Sequence, residues 1–253
     1  RARAPVAAEL GVPAPEPGAY VDDEYPAKLD HLTVHPVPLV SFTFGLPTAD
    51  DVARLRNAGS AVVLNATSPD EVTAAARLRP DAIVVQGVEA GGHRATHGQA
   101  GQPEETTTAA LLDAARELTD LPLVAAGGIA GRDDAAALRA RGAAAVQVGT
   151  LFLTAVEAGT KPAHREVLLD GTHTETLVTR AFSGRAARAL RNGFTDRMAA
   201  HEVTGYPQVH YMTAPMRAAS SADPEGLNLW AGTGAAACRE TRAAEVVELF
   251  RGL

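Results

Sequence analysis

His93 directly follows Gly91 and Gly92 and stands a few residues beyond the apolar run Ala82–Gln86, which puts a titratable ring on a flexible loop at the mouth of a predicted strand. A neutral imidazole there can take a proton from carbon or hydrogen-bond a substrate anion near neutral pH. Two later stretches, Ala126-Gly127-Gly128 and Gln147-Val148-Gly149-Thr150, place glycines where two more predicted strands exit. Bare backbone N–H groups at such exits, backed by the start of the next helix, bind phosphate well. The two loops lie about 20 residues apart, the spacing of consecutive βα units and of the phosphate site in (β/α)₈ barrels. Glycine also serves simply to turn a chain tightly, so either loop alone decides little; together with the hydroxyl of Thr150 they point to phosphate.

Other polar residues carry plainer alternatives. His97 lies four residues beyond His93, but the segment is glycine-rich and has no third ligand at a supporting spacing, so no metal site is expected. Glu89 can pair with Arg94, orient a neighbour, or stand as an ordinary exposed acid. Arg180, Arg185, Arg188 and Arg191 space roughly as one helical face, which could attract an anionic substrate but reads first as a solvated face. Trp230, the only tryptophan, suits either stacking on a planar cofactor or packing in the core. GxGxxG, GxxxxGK[ST] and GxSxG are all missing, which removes support for Rossmann, P-loop and serine-hydrolase readings.

These residues need a scaffold, and from residue 39 onward a unit repeats: a short apolar run, polar turn residues, then an Ala/Leu/Arg-rich helical stretch. Strands are predicted at 39–44, 61–65, 82–86, 123–126 and 145–148, with helices at 50–56, from Pro69 to near Arg79, at 107–118 and at 133–141. Ser68 is a natural N-cap, Pro69 fits the first helical position, and Glu71 lies three residues after the cap. The alternation predicts an α/β fold with a parallel sheet, and periodicity alone leaves it either open or closed into a barrel. Residues 1–38 carry Pro5, Pro13, Pro15, Pro17, Pro26, Pro36 and Pro38 and read as a surface-wrapping lead-in with short helices only. After Val156 the rhythm changes: 163–169 and 185–198 look helical, and 206–216 is rich in Pro, aromatics and Met. Glycine-rich residues 229–234 precede a closing helix from about 236 to 250. The predicted division is a lead-in (1–38), a barrel part (39–156 with 229–253) and a smaller, mainly helical lobe (157–228).

The 253-residue chain is 46% hydrophobic and carries a formal charge of -7 without a Lys/Arg-rich run, so it offers no electrostatic case for nucleic acid or an anionic membrane. A single cysteine, Cys238, excludes an intramolecular disulfide and any Cys-cluster metal site, and the cytoplasm is the expected compartment. No apolar stretch approaches the ~18 residues of a membrane helix. The opening Arg-Ala-Arg-Ala-Pro lacks the apolar core of a signal peptide, and a start without Met suits a processed or incomplete chain.

Three ordered stretches, Gln86-Gly87-Val88-Glu89-Ala90-Gly91-Gly92-His93-Arg94, Ala125-Ala126-Gly127-Gly128-Ile129 and Gln147-Val148-Gly149-Thr150, resemble the nitronate monooxygenase family, formerly called 2-nitropropane dioxygenases. Arg180-Ala181-Phe182-Ser183-Gly184-Arg185 and Leu229-Trp230-Ala231-Gly232 look similar to the same family. The resemblance implies an FMN-binding TIM barrel with a helical substrate lobe, acting on a small-molecule nitronate and molecular oxygen. Carried over by position, it implies that Gln86, Gly91 and Gly92 contact the flavin. Gly127, Gly128, Gln147, Val148, Gly149 and Thr150 would hold it chiefly at the phosphate, with His93 as catalytic base. The chain departs from the family pattern in having no counterpart of its first strands, Ala95 in place of a glycine, and Thr233 in place of a glutamine. Five visible βα units cannot close an eight-stranded barrel, so a barrel lacking its first strands is expected. An FMN-dependent enoyl-[acyl-carrier-protein] reductase using NADH shares the Glu-Ala-Gly-Gly-His and Ala-Gly-Gly motifs. A non-catalytic flavin-binding remnant is the third reading.

Overall fold

The computed structural model describes residues 2–14, 16–18, 21–100 and 104–253; Pro15 of the lead-in and residues 101–103 of the loop before the 107–118 helix lie outside them. Five strands, β1 (Leu39–Phe42), β2 (Ala61–Ala66), β3 (Ala82–Gln86), β5 (Leu123–Ala126) and β6 (Ala145–Gln147), pair in parallel in that order; β4 (Gly92–His93) belongs elsewhere. The order follows the chain without reversal, as in one arc of a (β/α) barrel and unlike a doubly wound sheet with a switch point. Among the described residues β1 and β6 remain edges, so the arc does not close. That agrees with a barrel-like sheet of five units.

Helices α3 (Ala49–Asn57), α4 (Pro69–Ala76), α5 (Thr108–Leu118) and α6 (Arg132–Ala140) follow successive strands. Register explains why they lie on one side. Leu64 pairs with Ile83 and Ile83 with Leu123, so alternate residues share a face. Val62, Leu64, Ile83, Val85 and Ala125 are wholly buried there against Leu55, Val72, Leu111 and Leu112. The other face holds a smaller cluster of Val63, Val84 and Ala126, while Leu39 on the edge strand is 53% exposed. The caps form as their residue types dictate: Thr48 and Asp51 make a capping box, and Ser68 accepts from the Glu71 N–H with Pro69 in the first turn. Glu71 also accepts from the N–H groups of Thr67 and His97, which fastens α4 to the loop after His93.

The lead-in holds two short helices, α1 (Ala4–Glu9) and α2 (Tyr25–Val34). Val6 and Ala7 of α1 pack with Phe182, Phe194 and Met216, whereas Leu29 of α2 joins the core beneath the main sheet. Beyond β6 come a 3₁₀ turn (Thr150–Thr154), α7 (Pro162–Asp170), β7 (Thr176–Thr179), β8 (Ala187–Leu190), α8 (Gly193–Met198) and α9 (Gln208–Ala219). The helix expected over 185–198 is instead strand β8, a break at Asn192, and α8. Ala187 and Ala189 are buried by antiparallel pairing with β4 and β7, and the Asn192 side chain caps the new helix. The closing helix is likewise shorter, α10 (Ala243–Leu249), because the chain at Thr241 first pairs with Ala155 and Val156. Among the described residues no helix is long and apolar enough to cross a membrane.

Candidate active site

At the carboxyl ends of β3, β5 and β6 lies a cavity of about 300 Å³. Gln86, Gly91, Gly92, Gly127, Gly128, Gln147, Val148, Gly149 and Thr150 all line it, joined by Trp230, Gly232 and Gly234 from the return segment. The loops are held there by hydrogen bonds that their residue types make possible. The hydroxyl of Thr108, at the start of α5, lies 3.1 Å from the carbonyl oxygens of Ala126 and Gly127 and from Glu89 Oε2, and its single proton is shared among these acceptors. The Glu89 carboxylate accepts from the Thr108 N–H at 2.9 Å and hydroxyl at 3.1 Å, so its partner is the α5 start rather than Arg94. Thr150 Oγ1 accepts from the Gly232 N–H at 2.9 Å, which closes the rim.

Two glycines on this rim differ in what requires them. Gly127 has φ +113°, and a Cβ there would lie 2.8 Å from Ala90 N, so the protein itself demands glycine. Gly149 has an ordinary φ of -125°, and a Cβ would meet nothing within 4 Å. The space beside it belongs to the cavity.

His93 pairs with Ala187, and its Nε2 lies 2.8 Å from Ser183 Oγ. Ser183 Oγ also lies 3.1 Å from the Arg185 carbonyl oxygen. The hydroxyl proton can serve either the Arg185 carbonyl or Nε2, and in the first arrangement Ser183 Oγ accepts from Nε2–H and Nδ1 keeps the lone pair. The ring stands among Trp230, Tyr206 and Phe44 at 5.4, 5.6 and 5.7 Å between centroids. It is not among the residues lining the cavity, although its neighbours Gly92, Gln86 and Trp230 are. Burial, with the positive field of Arg185, His210 and Arg217, pushes the His93 imidazole down to about 4. It is neutral at pH 7.

Gln86 faces inward. Its Nε2 donates to the His93 carbonyl at 3.2 Å, and its Oε1 accepts from Arg94 at 3.1 Å and from the Ala95 N–H at 2.9 Å. Arg94 is fully buried and also donates to the carbonyls of Gln86 and Gly87; burial lowers its guanidinium to about 10. The solvated arginine face predicted from spacing holds only for Arg191, which pairs with Glu175 and Asp196 at the surface. Arg185 is buried, donates to the Thr96 and Arg94 carbonyls, and lies 3.9 Å over the Phe44 ring. Arg188 reaches the Val88 carbonyl at 2.7 Å. In an extended strand these side chains alternate rather than share a helical face. His97 binds the Asn65 carbonyl at 2.8 Å and serves the scaffold.

Phe44, Ser183 and Tyr206 are site residues that sequence reasoning did not single out, and of these only Ser183 lay within a quoted motif; Arg185 was expected in the arginine face instead. His164 was also missed: it is 8% exposed, hydrogen-bonds the Trp230 main chain, and is held by burial at about 4. A histidine in an apolar helix gives no local sign of such a partner.

The family described as nitronate monooxygenase matches the chain over residues 2–251. A probable nitronate monooxygenase of Staphylococcus aureus (strain Newman) is 33% identical over 216 residues, which cover 83% of this chain and 61% of the relative. The chain thus spans less than two thirds of the length of such relatives. Among solved structures, nitroalkane oxidase from Streptomyces ansochromogenes matches with a TM-score of 0.94 at 41% identity, over 98% of this chain and 72% of its own. FabK from Thermotoga maritima matches with a TM-score of 0.71 at 27% identity, over 88% and 69%. With a family match of that extent, this chain belongs to the nitronate monooxygenase family.

Proposed function

We propose that the chain holds FMN in the glycine-lined cavity and oxidises alkyl nitronates with molecular oxygen, His93 serving as base. The observation that carries this reading is the convergence on one cavity of every glycine and polar loop residue singled out for a phosphate-bearing cofactor. The open space beside Gly149, which the protein has no steric reason to leave, supports a ligand there. Backbone N–H groups of Gly128, Gly149 and Thr150 would hold the phosphate, while Gln86, Gly91 and Gly92 would contact the rest of the cofactor. When bound, FMN supplies the electron acceptor that no side chain here can provide. On this reading residues 39–156 and 229–253 carry the cofactor, and 157–228 complete the substrate side.

The chain's own residues account for substrate charge and proton handling. Burial is the main cause that depresses His93; the positive field of Arg185, His210 and Arg217 adds to it, and that field attracts an anion. A bound nitronate offsets the field and raises the proton affinity of the ring. The α-proton of a neutral nitroalkane is the one His93 would remove as base, giving the nitronate; toward a nitronate, which has already lost that proton, the ring serves as a hydrogen-bond partner and the positive field as the counter-charge. Ser183 engages Nε2, so in the tautomer with Nε2–H it is Nδ1 that would take up the α-proton of a nitroalkane.

Stopped-flow absorbance of the flavin-loaded protein tests the reading. Anaerobic propyl-2-nitronate should bleach the flavin, and oxygen should restore it. Bleaching by NADH with no response to the nitronate would transfer the site to an enoyl-[acyl-carrier-protein] reductase. Protein that neither contains flavin nor binds it on titration would be a non-catalytic remnant.

A further inference from the structure

His93 is covered by an aromatic pair that the chain fastens from the loop following it. The side-chain amide of Gln99 meets the main chain of Tyr206 at two points: Nε2 donates to the Tyr206 carbonyl at 3.0 Å, and the Tyr206 N–H donates to Oε1 at 3.0 Å. The two residues are separated by 107 positions, so this contact joins the His93 loop to the distal lobe. Tyr206 so held stands 5.5 Å from Phe44, edge-on, and both rings face His93.

Phe44 is itself unusual. Its φ is +69°, a region that bulky side chains enter at a cost, and it is followed by Gly45. Its ring is sandwiched into place by His93, Tyr206 and the Arg185 guanidinium. Phe44 and Tyr206 border the half-buried His93 ring, so the tail of a substrate held at that ring packs against this pair, and a bulky tail crowds it more than a short one.

We propose that Gln99 is a positioning residue that latches Tyr206 over His93, and that the latched Phe44–Tyr206 pair selects nitronates with small apolar tails. The selectivity rests on the nitronate reading of this site; the latch rests on side chains of this chain alone. Gln99 is half-buried in a loop, so its replacement leaves the core intact.

Two readouts on the protein as purified test the latch. Trp230 is the only tryptophan and lies 5.4 Å from His93, so acrylamide quenching of its fluorescence reports opening of the box. In Gln99→Ala the quenching constant should rise about twofold or more, as local opening predicts. Gln99→Glu keeps the acceptor for the Tyr206 N–H but loses the donor, and should fall between. In kinetics, Gln99→Ala and Tyr206→Ala should raise kcat/KM for the nitronate of phenylnitromethane relative to ethylnitronate by about tenfold, the scale on which pocket size discriminates. Wild-type quenching together with wild-type selectivity in Gln99→Ala overturns the latch. Steeper quenching in a protein that turns over neither nitronate upholds the latch and removes the nitronate reading.

Discussion

Gly127, Gly128, Gly149 and Thr150 reach the cavity through the backbone of two successive strand ends, whereas His93, Ser183, Tyr206 and Trp230 come together from four separate stretches of chain. The glycine rim presents main-chain N–H groups, and the one carboxylate beside it, Glu89, is held by Thr108 at the start of α5. The aromatic box presents one imidazole whose proton affinity is set by what surrounds it. A wall made of backbone is sensitive above all to added volume. A box made of side chains responds to both the loss of a partner and the proton.

The largest expected effect separates the two directly. His93→Asn should keep the yellow chromophore, because the rim is untouched, and lose turnover by about 10²–10⁴-fold, the usual contribution of a positioned base. Full kcat/KM in that variant refutes His93 as the base.

Acid should act on the box and on the helix behind it. His93 and His164 are both held near 4, below the ordinary 6.5. Below 6.5 the unfolded chain therefore binds more protons than the folded one, so stability is complete above about 6.5 and declines as pH falls toward 4. For His164, which is almost wholly buried, the full span corresponds to at most about 3 kcal/mol. Thermal melts across this window should show a shallower acid decline in His164→Leu; an identical slope would mean that the imidazole is already solvated.

Two glycine variants probe the rim. Gly91→Ala puts a Cβ 2.4 Å from Gly232 N and should lower stability by about 1–3 kcal/mol, as overpacking does. Gly149→Val meets no protein atom near its Cβ and should leave Tm within a degree or two of wild type, at most ~0.5 kcal/mol. Its flavin Kd, followed by absorbance titration, should weaken nonetheless. A Gly149→Val protein with unaltered Kd would show that the open space is not part of the cofactor site.

Ser183→Ala carries the smallest effect. Loss of one neutral hydrogen bond to Nε2 is worth about 1 kcal/mol, or about fivefold in kcat/KM. Restoration by Ser183→Thr but not by Ser183→Val would identify the hydroxyl, rather than side-chain volume, as the group that matters.

The rim was legible in the chain and the box was not, for a physical reason. The strands over Ala82–Gln86 and Leu123–Ala126 emerge as expected because β-branched and alanine runs buried beneath helices have few alternatives. Ser68-Pro69 and the glycines at strand exits act within a few residues of themselves, so their consequences can be read locally. Residues 185–198 misled for the opposite reason. Ala, Arg and Leu favour helix by themselves, and pairing with β4 and β7 overrides that preference. With β8 formed, Arg188 within it and Arg185 in the bend just before it turn to backbone carbonyls instead of standing in water.

By itself the sequence determined the βα rhythm, the order of the glycine loops along it, and the position of His93 one unit before them. Those features depend on turn chemistry and on periodicities spanning fewer than about 20 residues. Only the tertiary structure decided which groups meet His93. Ser183 lies 90 positions away and Gln99 grips a residue 107 away, and contacts at such separations arise from how the sheet arc and the distal lobe pack, not from any local pattern.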